Sequence, residues 1–274
     1  FPGLRPAPGA AADVAAPPYD VVSFDEAAAM ADGRPWSFLH VSRPEIDLPP
    51  GTDSHADEVY AKGASNLAAM IEAGVLIRDE APSYYVYRII MGDHSQTGLV
   101  AATPVDAYLK NIVRKHEFTR PDKEDDRVRQ IDEVDAQTGP VLVVHQPQPA
   151  ISAILKEVTA KDPTYDVTQP DGVRHIVWAV TVPADVQRVA DAYAPVDVLY
   201  IADGHHRSAA AARVAALREG RDGVTDAHER FLIVAFPTDE LHILDYNRVI
   251  KDLNGLSEEA FLARVNEAFD VTPA

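Results

Sequence analysis

The chain has 274 residues, of which 46% are hydrophobic and 25% charged, and it contains no cysteine. That is the composition of an ordinary globular protein, long enough to bury a sizeable core, and it excludes disulfides, thiolate metal sites and cysteine nucleophiles. A formal net charge of −18 opposes binding to nucleic acid or to an anionic membrane surface, and no apolar run approaches the roughly 18–20 residues needed to span a bilayer. With no basic-then-apolar leader pattern, a cytoplasmic protein is expected.

In chain order, the proline-punctuated stretches Phe1 to Pro6 and Ala16 to Val22 predict extended or turned backbone. Ser23 reads as an N-cap, with Asp25 and Glu26 in the first turn of a short helix ending near Gly33. Trp36 to Val41 reads as a buried strand, on which His40 is either a hydrogen-bonded core residue or a ligand group. Ser54 to Glu72 has the spacing of an amphipathic helix, stopped by Gly74. Tyr84 to Met91 and Gln96 to Ala102 flank a turn-rich Gly92-Asp93-His94-Ser95 and predict an antiparallel hairpin.

A polar block follows, Arg114-Lys115-His116-Glu117-Phe118-Thr119, on what should be a loop leading to a helix after Pro121. Glu117 beside His116 suits a general base or a metal ligand, and Arg114, Lys115 and Lys123 suit phosphate oxygens; from Lys123 to Arg129 a solvated helix of paired charges is an equal alternative. Val141 to His145 is uniformly apolar and β-branched, as in a central strand buried on both faces. Ile151 to Thr159 predicts a helix, Tyr165 to Thr168 with Val173 to Val180 a second hairpin, and Pro183 to Tyr193 another helix.

The chain is organised around Val198-Leu199-Tyr200-Ile201-Ala202-Asp203-Gly204-His205-His206-Arg207 and the alanine-rich run from Ser208 to Leu217, which together read as strand, tight turn and helix. At such a junction the unpaired N–H groups and the positive end of the helix dipole favour an anion, and Arg207 would add a planar fork suited to phosphate. The plainer alternative is a common Asp-Gly turn, a solvated helix start and alanines that only allow close packing. Gly220 and Gly223 mark a stop, Phe231 to Phe236 with Leu241 to Tyr246 predicts a last hairpin, and Ser257 caps a final helix. The run from Phe269 to Ala274 reads as a strand just beginning, so a further C-terminal portion is expected.

Hairpins mixed with helices indicate an α+β (mixed α/β) fold with a mixed sheet and flanking helices. Residues 1–110 would form an N-terminal portion and 111–274 a portion carrying the Asp-Gly-His-His-Arg turn, unless both make one continuous domain.

Pro17-Pro18-Tyr19-Asp20-Val21, the block from Arg114 to Thr119, and Ala202-Asp203-Gly204-His205-His206-Arg207 together resemble the domain-of-unknown-function family 1015, in the right order and over nearly the whole chain. That family looks like a distant relative of the ParB and sulfiredoxin superfamily, in which a Gly-x-x-Arg turn at a helix start holds nucleotide phosphates. Gly204, His205, His206 and Arg207 match that turn; sulfiredoxin has a cysteine where His205 stands, so its sulfinic-acid chemistry does not carry over. A ParB-like free serine kinase shares the turn. The resemblance implies a phosphotransferase acting on a small hydroxyl metabolite such as serine, with ATP or ADP and Mg²⁺ as cofactors.

On that reading Gly204, His205, His206 and Arg207 bind phosphate, Asp203 orients the hydroxyl or holds Mg²⁺, Glu117 accepts the hydroxyl proton, and Arg114, Lys115 and His116 stabilise the transferring group. A nucleotide-binding regulatory protein without chemistry and a phosphoester hydrolase are the rival readings. A metal hydrolase built on His205, His206, His116 and Asp203 lacks a clear ligand spacing.

Overall fold

The computed structural model describes residues 1–221, 225–244 and 249–272. The described chain divides into two compact units, Phe1–Leu241 and His242–Ala274. In order, the first unit runs β1 (Leu4–Pro6), α1 (Ala11–Val14), α2 (Phe24–Ala31), α3 (Leu39–Ser42), α4 (Asp57–Glu72), β2 (Leu76–Arg78), β3 (Tyr84–Met91), β4 (His94–Pro104) and α5 (Val105–Leu109). It continues with β5 (Val113–Arg114), α6 (Pro121–Val134), β6 (Val141–His145), α7 (Pro149–Thr159), β7 (Tyr165–Thr168), β8 (Arg174–Val180), α8 (Pro183–Tyr193), β9 (Leu199–Asp203), α9 (His205–Arg218) and β10 (Arg230–Pro237). The second unit holds α10 (Glu258–Asn266), whose N-cap Ser257 accepts a hydrogen bond from the Ala260 N–H, as its sequence predicts.

Eight strands form one mixed sheet in the order β5-β9-β6-β10-β4-β3-β8-β7, which draws on segments from both sides of residue 110. From β10 through β7 every neighbour is antiparallel, whereas β5 with β9 and β6 with β10 are parallel. The fold is therefore α+β with a mixed sheet. Two of the three predicted hairpins form: β3 and β4 meet across Gly92 and Asp93, and β7 pairs with β8.

Helices cover the sheet where their stripes are apolar. Ile151, Leu155 and Val158 of α7 and Val189 of α8 bury against Val86, Leu99, Ile176, Trp178 and Val180 of the antiparallel half. At the other end, Ala209 and Ala211 of α9 pack with Val113, Val141, Val143, Ile201 and Phe231. Side chains no larger than methyl let this helix lie close to the strands, so the alanine run is a packing face. The opposite side of α9, through Ala210 and Val214, meets Val128 of α6.

Local signals behave as their chemistry requires. Ser23 and Glu26 close a complete capping box on α2. In three places tertiary structure overrides the sequence pattern. Trp36 to Val41 is not a strand: the backbone turns through Ser37 and forms the single helical turn α3, with Leu39 and Val41 buried. A short apolar run carries no period that separates strand from helix. His40 on this turn bonds Asp47 at 2.8 Å and the Arg34 carbonyl at 3.2 Å.

Leu241 to Leu244 does not return as a strand, because β10 has β4 on one edge and β6 on the other, leaving no ladder to join; Asp245 and Tyr246 lie outside the described residues, as does Gly223. No strand begins between Phe269 and Thr272.

Candidate functional site

The site lies where β9 hands over to α9. Gly204 is the N-cap of that helix, with φ +95° and ψ 29°, in the left-handed region that a side chain would strain. No side chain caps the helix, so its first N–H groups are left without a side-chain acceptor.

A Cβ on Gly204 would stand 3.0 Å from Arg207 Nε and 3.2 Å from Arg207 Cζ, so the guanidinium folds back over the turn. There it donates to the Asp203 carboxylate and to the Pro140 carbonyl at the head of β6. Asp203 is 72% exposed, and an ion pair so open to water contributes only about 0–1 kcal/mol. The Arg207–Asp203 pair is therefore weakly held.

The loop after β5 is brought onto this turn. β5 pairs parallel with β9, Val113 against Leu199 and Arg114 against Tyr200, which carries the next residues to the start of α9. His116 and His205, 89 positions apart, meet with ring centroids 4.4 Å apart and planes 85° from parallel. Glu117 Oε2 lies 3.5 Å from His205 Nδ1, and the His116 N–H points at His205 Nε2 over 3.5 Å. The Arg120 N–H donates to His206 Nε2 at 3.1 Å. One donor atom from each of His116, Glu117 and His205 falls within 4.8 Å of the others.

His205 is buried while His116, Glu117 and Phe118 are exposed, Phe118 at 99%. Burial pushes the His205 imidazole below its ordinary pKa, the neighbouring His116 pushes it further, and Glu117 and Asp203 pull it partly back. The net effect favours the neutral imidazole. Arg114 lies over the Tyr200 ring at 5.6 Å and Lys115 over the Tyr108 ring at 4.1 Å, and among the described residues neither forms an ion pair. Both cations keep their charge available beside the turn in a chain that is strongly acidic overall.

The expected residues thus separate into groups. His116, Glu117 and His205 meet; Asp203, Gly204 and Arg207 close on one another; His206 fastens the loop; Arg114 and Lys115 rest on aromatic faces. Asp203 is bound to Arg207 and belongs to no cluster of candidate metal ligands among the described residues.

A further group was absent from the sequence-based site. Arg127 stacks over the Tyr19 ring at 4.0 Å and bonds Asp126, which also accepts from the Tyr60 hydroxyl at 2.8 Å. Burial raises the Tyr19 hydroxyl pKa, while Arg127 and Arg207 both act against that rise, which places Tyr19 within electrostatic reach of the turn. The Pro-Pro-Tyr-Asp pattern and the adjacent Asp126-Arg127 were visible in the sequence, but nothing local told that they face each other.

An α+β chain whose separate polar stretches converge on one helix start is what the fold and site define. Over residues 1–274 it matches the family described as "Protein of unknown function (DUF1015)", and the protein belongs to that family. No curated protein and no solved structure matches it. Among the described residues no helix is long and apolar enough to cross a membrane.

Proposed function

We propose that this protein binds a phosphate-bearing ligand at the start of α9 and transfers a phosphoryl group between a nucleotide, carried with Mg²⁺, and the hydroxyl of a small metabolite such as serine, in the cytoplasm. The observation that supports this reading is the convergence of the loop from Arg114 to Thr119 on the Asp203 to Arg207 turn, because it joins an anion-binding helix start to a carboxylate within reach of its ligand. Backbone N–H groups at Gly204, His205 and His206 and the Arg207 fork receive the phosphate. Arg114 and Lys115 offset charge on the transferring group, and Asp203, once released by Arg207, holds Mg²⁺ or the hydroxyl. Glu117, 3.5 Å from His205, is the group that takes the hydroxyl proton. The nucleotide turn and the choice of serine follow from the likeness to ParB-like serine kinases.

The test is a thermal-shift series with ATP, ADP, CTP, phosphoserine and inorganic phosphate, each with and without Mg²⁺, on the wild type and Arg207→Ala. A ligand that binds only the folded state raises the melting temperature. A nucleotide-dependent rise that Arg207→Ala abolishes is expected, followed by phosphoserine formation from serine. No rise with any of them, or the same rise in Arg207→Ala, would reject the site.

A further inference from the structure

We propose that His116, Glu117 and His205 form a binding site for a divalent transition-metal ion of the zinc class, separate from the Mg²⁺ that accompanies a nucleotide. Two imidazoles and one carboxylate are the donors that zinc, manganese and iron(II) take, whereas Mg²⁺ prefers an all-oxygen shell. The donors are already gathered within 4.8 Å.

The 3.5 Å between His205 Nδ1 and Glu117 Oε2 is long for a hydrogen bond. It is close to the separation of about 3.3 Å that two donors adopt when each lies about 2.0–2.1 Å from one tetrahedral ion. The spacing is thus better matched to sharing an ion than to bonding each other.

The ligands are also prepared in position. His205 is fixed at the first turn of α9 and buried, while His116 and Glu117 come from an exposed loop that can close on an ion. Three protein donors with two of them at the surface leave a coordination position open, as in sites that act on a ligand.

The geometry carries one cost. An ion on Nδ1 leaves the ring proton on Nε2, where it faces the His116 N–H across 3.5 Å. Two donors then oppose each other, so occupancy requires the His116 backbone to move. Arg114 and Lys115 also repel a dication, and both are anchored on ring faces.

This proposal does not rest on the phosphate reading, although it concerns the same carboxylate. With an ion bound to one carboxylate oxygen, Glu117 becomes a weaker proton acceptor. A transition-metal ion at this place therefore competes with the base role of Glu117.

The chelator-treated protein is titrated with Co²⁺, whose visible d–d bands report imidazole-containing low-coordination sites, followed by competition with Zn²⁺ and with Mg²⁺. Saturable binding of one equivalent, displaced by Zn²⁺ and not by Mg²⁺, is expected. His116→Ala and Glu117→Gln alter exposed residues and keep the fold; each should weaken Co²⁺ at least about tenfold, the lower end of what even an outer partner of a ligand costs. His205→Asn should do the same, with circular dichroism as the check on folding. Arg207→Ala should leave Co²⁺ affinity unchanged while abolishing the phosphate-dependent thermal shift, which separates the two readings. No saturable binding in the wild type, equal affinity in His116→Ala and Glu117→Gln, or a loss in Arg207→Ala as large as theirs would overturn the proposal.

Discussion

The two ends of the one sheet are built for different purposes. From β10 to β7 the strands are antiparallel and their inner face is filled by α7 and α8, with Trp178, Ile176, Leu99 and Val86 in a continuous apolar layer. From β5 to β6 the inner face is as apolar, yet β9 ends on a left-handed glycine and exposes a helix start to a loop carrying Arg114, Lys115, His116 and Glu117. Packing explains the first end fully; at the second it explains the strands and α9, but not why titratable groups are gathered at their rim. Each end also holds a histidine whose pKa burial lowers, His175 in the antiparallel half and His205 at the turn. His175 is matched by the Tyr87 hydroxyl at 2.6 Å, a satisfied pair, whereas both polar contacts of the His205 ring are 3.5 Å long. One ring is fastened; the other is held ready.

The comparison breaks most readily at the strand both ends share. Phe236 on β10 is fully buried, and its ring stands within 2.9 Å of where a Cβ on Gly98 of β4 would lie, so the two strands are fitted closely here. Phe236→Ala should cost about 3–5 kcal/mol of stability, read by urea unfolding, and should depress ligand binding only through the fraction of folded protein. A loss under about 1 kcal/mol would mean that β10 does not join the two ends energetically.

A smaller structural change should have a purely chemical effect at the rim. Glu117→Gln keeps the shape of an exposed side chain, so stability and phosphate-ligand affinity should stay within measurement error while turnover of a hydroxyl substrate falls about 10²- to 10⁴-fold. Steady-state kinetics on the substrate found by thermal shift checks this; unaltered turnover would remove Glu117 as the proton acceptor.

The smallest expected effect is a pH dependence common to both ends. His175 and His205 have folded pKa values below the ordinary 6.5, so between the folded and unfolded values the unfolded chain binds more protons. Stability is then full above pH 6.5 and is lost as the pH falls through the folded pKa values. Melting curves across this window should show the loss in the wild type, and His175→Asn should reduce it while leaving ligand-induced shifts intact. A flat profile below pH 6.5 would show that neither ring is neutralised by burial.

How much of this was legible depends on the range of the interaction. The β3–β4 and β7–β8 hairpins, the capping box at Ser23 and the junction at Gly204 rest on residues a few positions apart, and the patterns of Gly92-Asp93, Ser23 with Glu26 and Asp203-Gly204 state them directly. Leu39 and Val41 are buried as expected, but on a helical turn, since burial of a short apolar run does not select its backbone. Within the site, the residue types at 114–117 and 203–207 were readable, whereas Tyr19 and Arg127 were not, because their contact spans more than a hundred positions.

By itself, then, the sequence determined where the chain turns, which helices are capped and which stretches hold chemically able side chains. These depend on local backbone preference and on apolar periods. The tertiary structure alone decided that β9 lies between β5 and β6, and this pairing sets His116 and Glu117 against His205. It also decided that Arg207 folds onto Asp203 and Pro140, and that β10, with a neighbour on each edge, leaves Leu241 no strand to pair with. The physical reason is the same in each case: strand partners and ion-pair partners are chosen by competition among all surfaces of the folded chain, which no local stretch encodes.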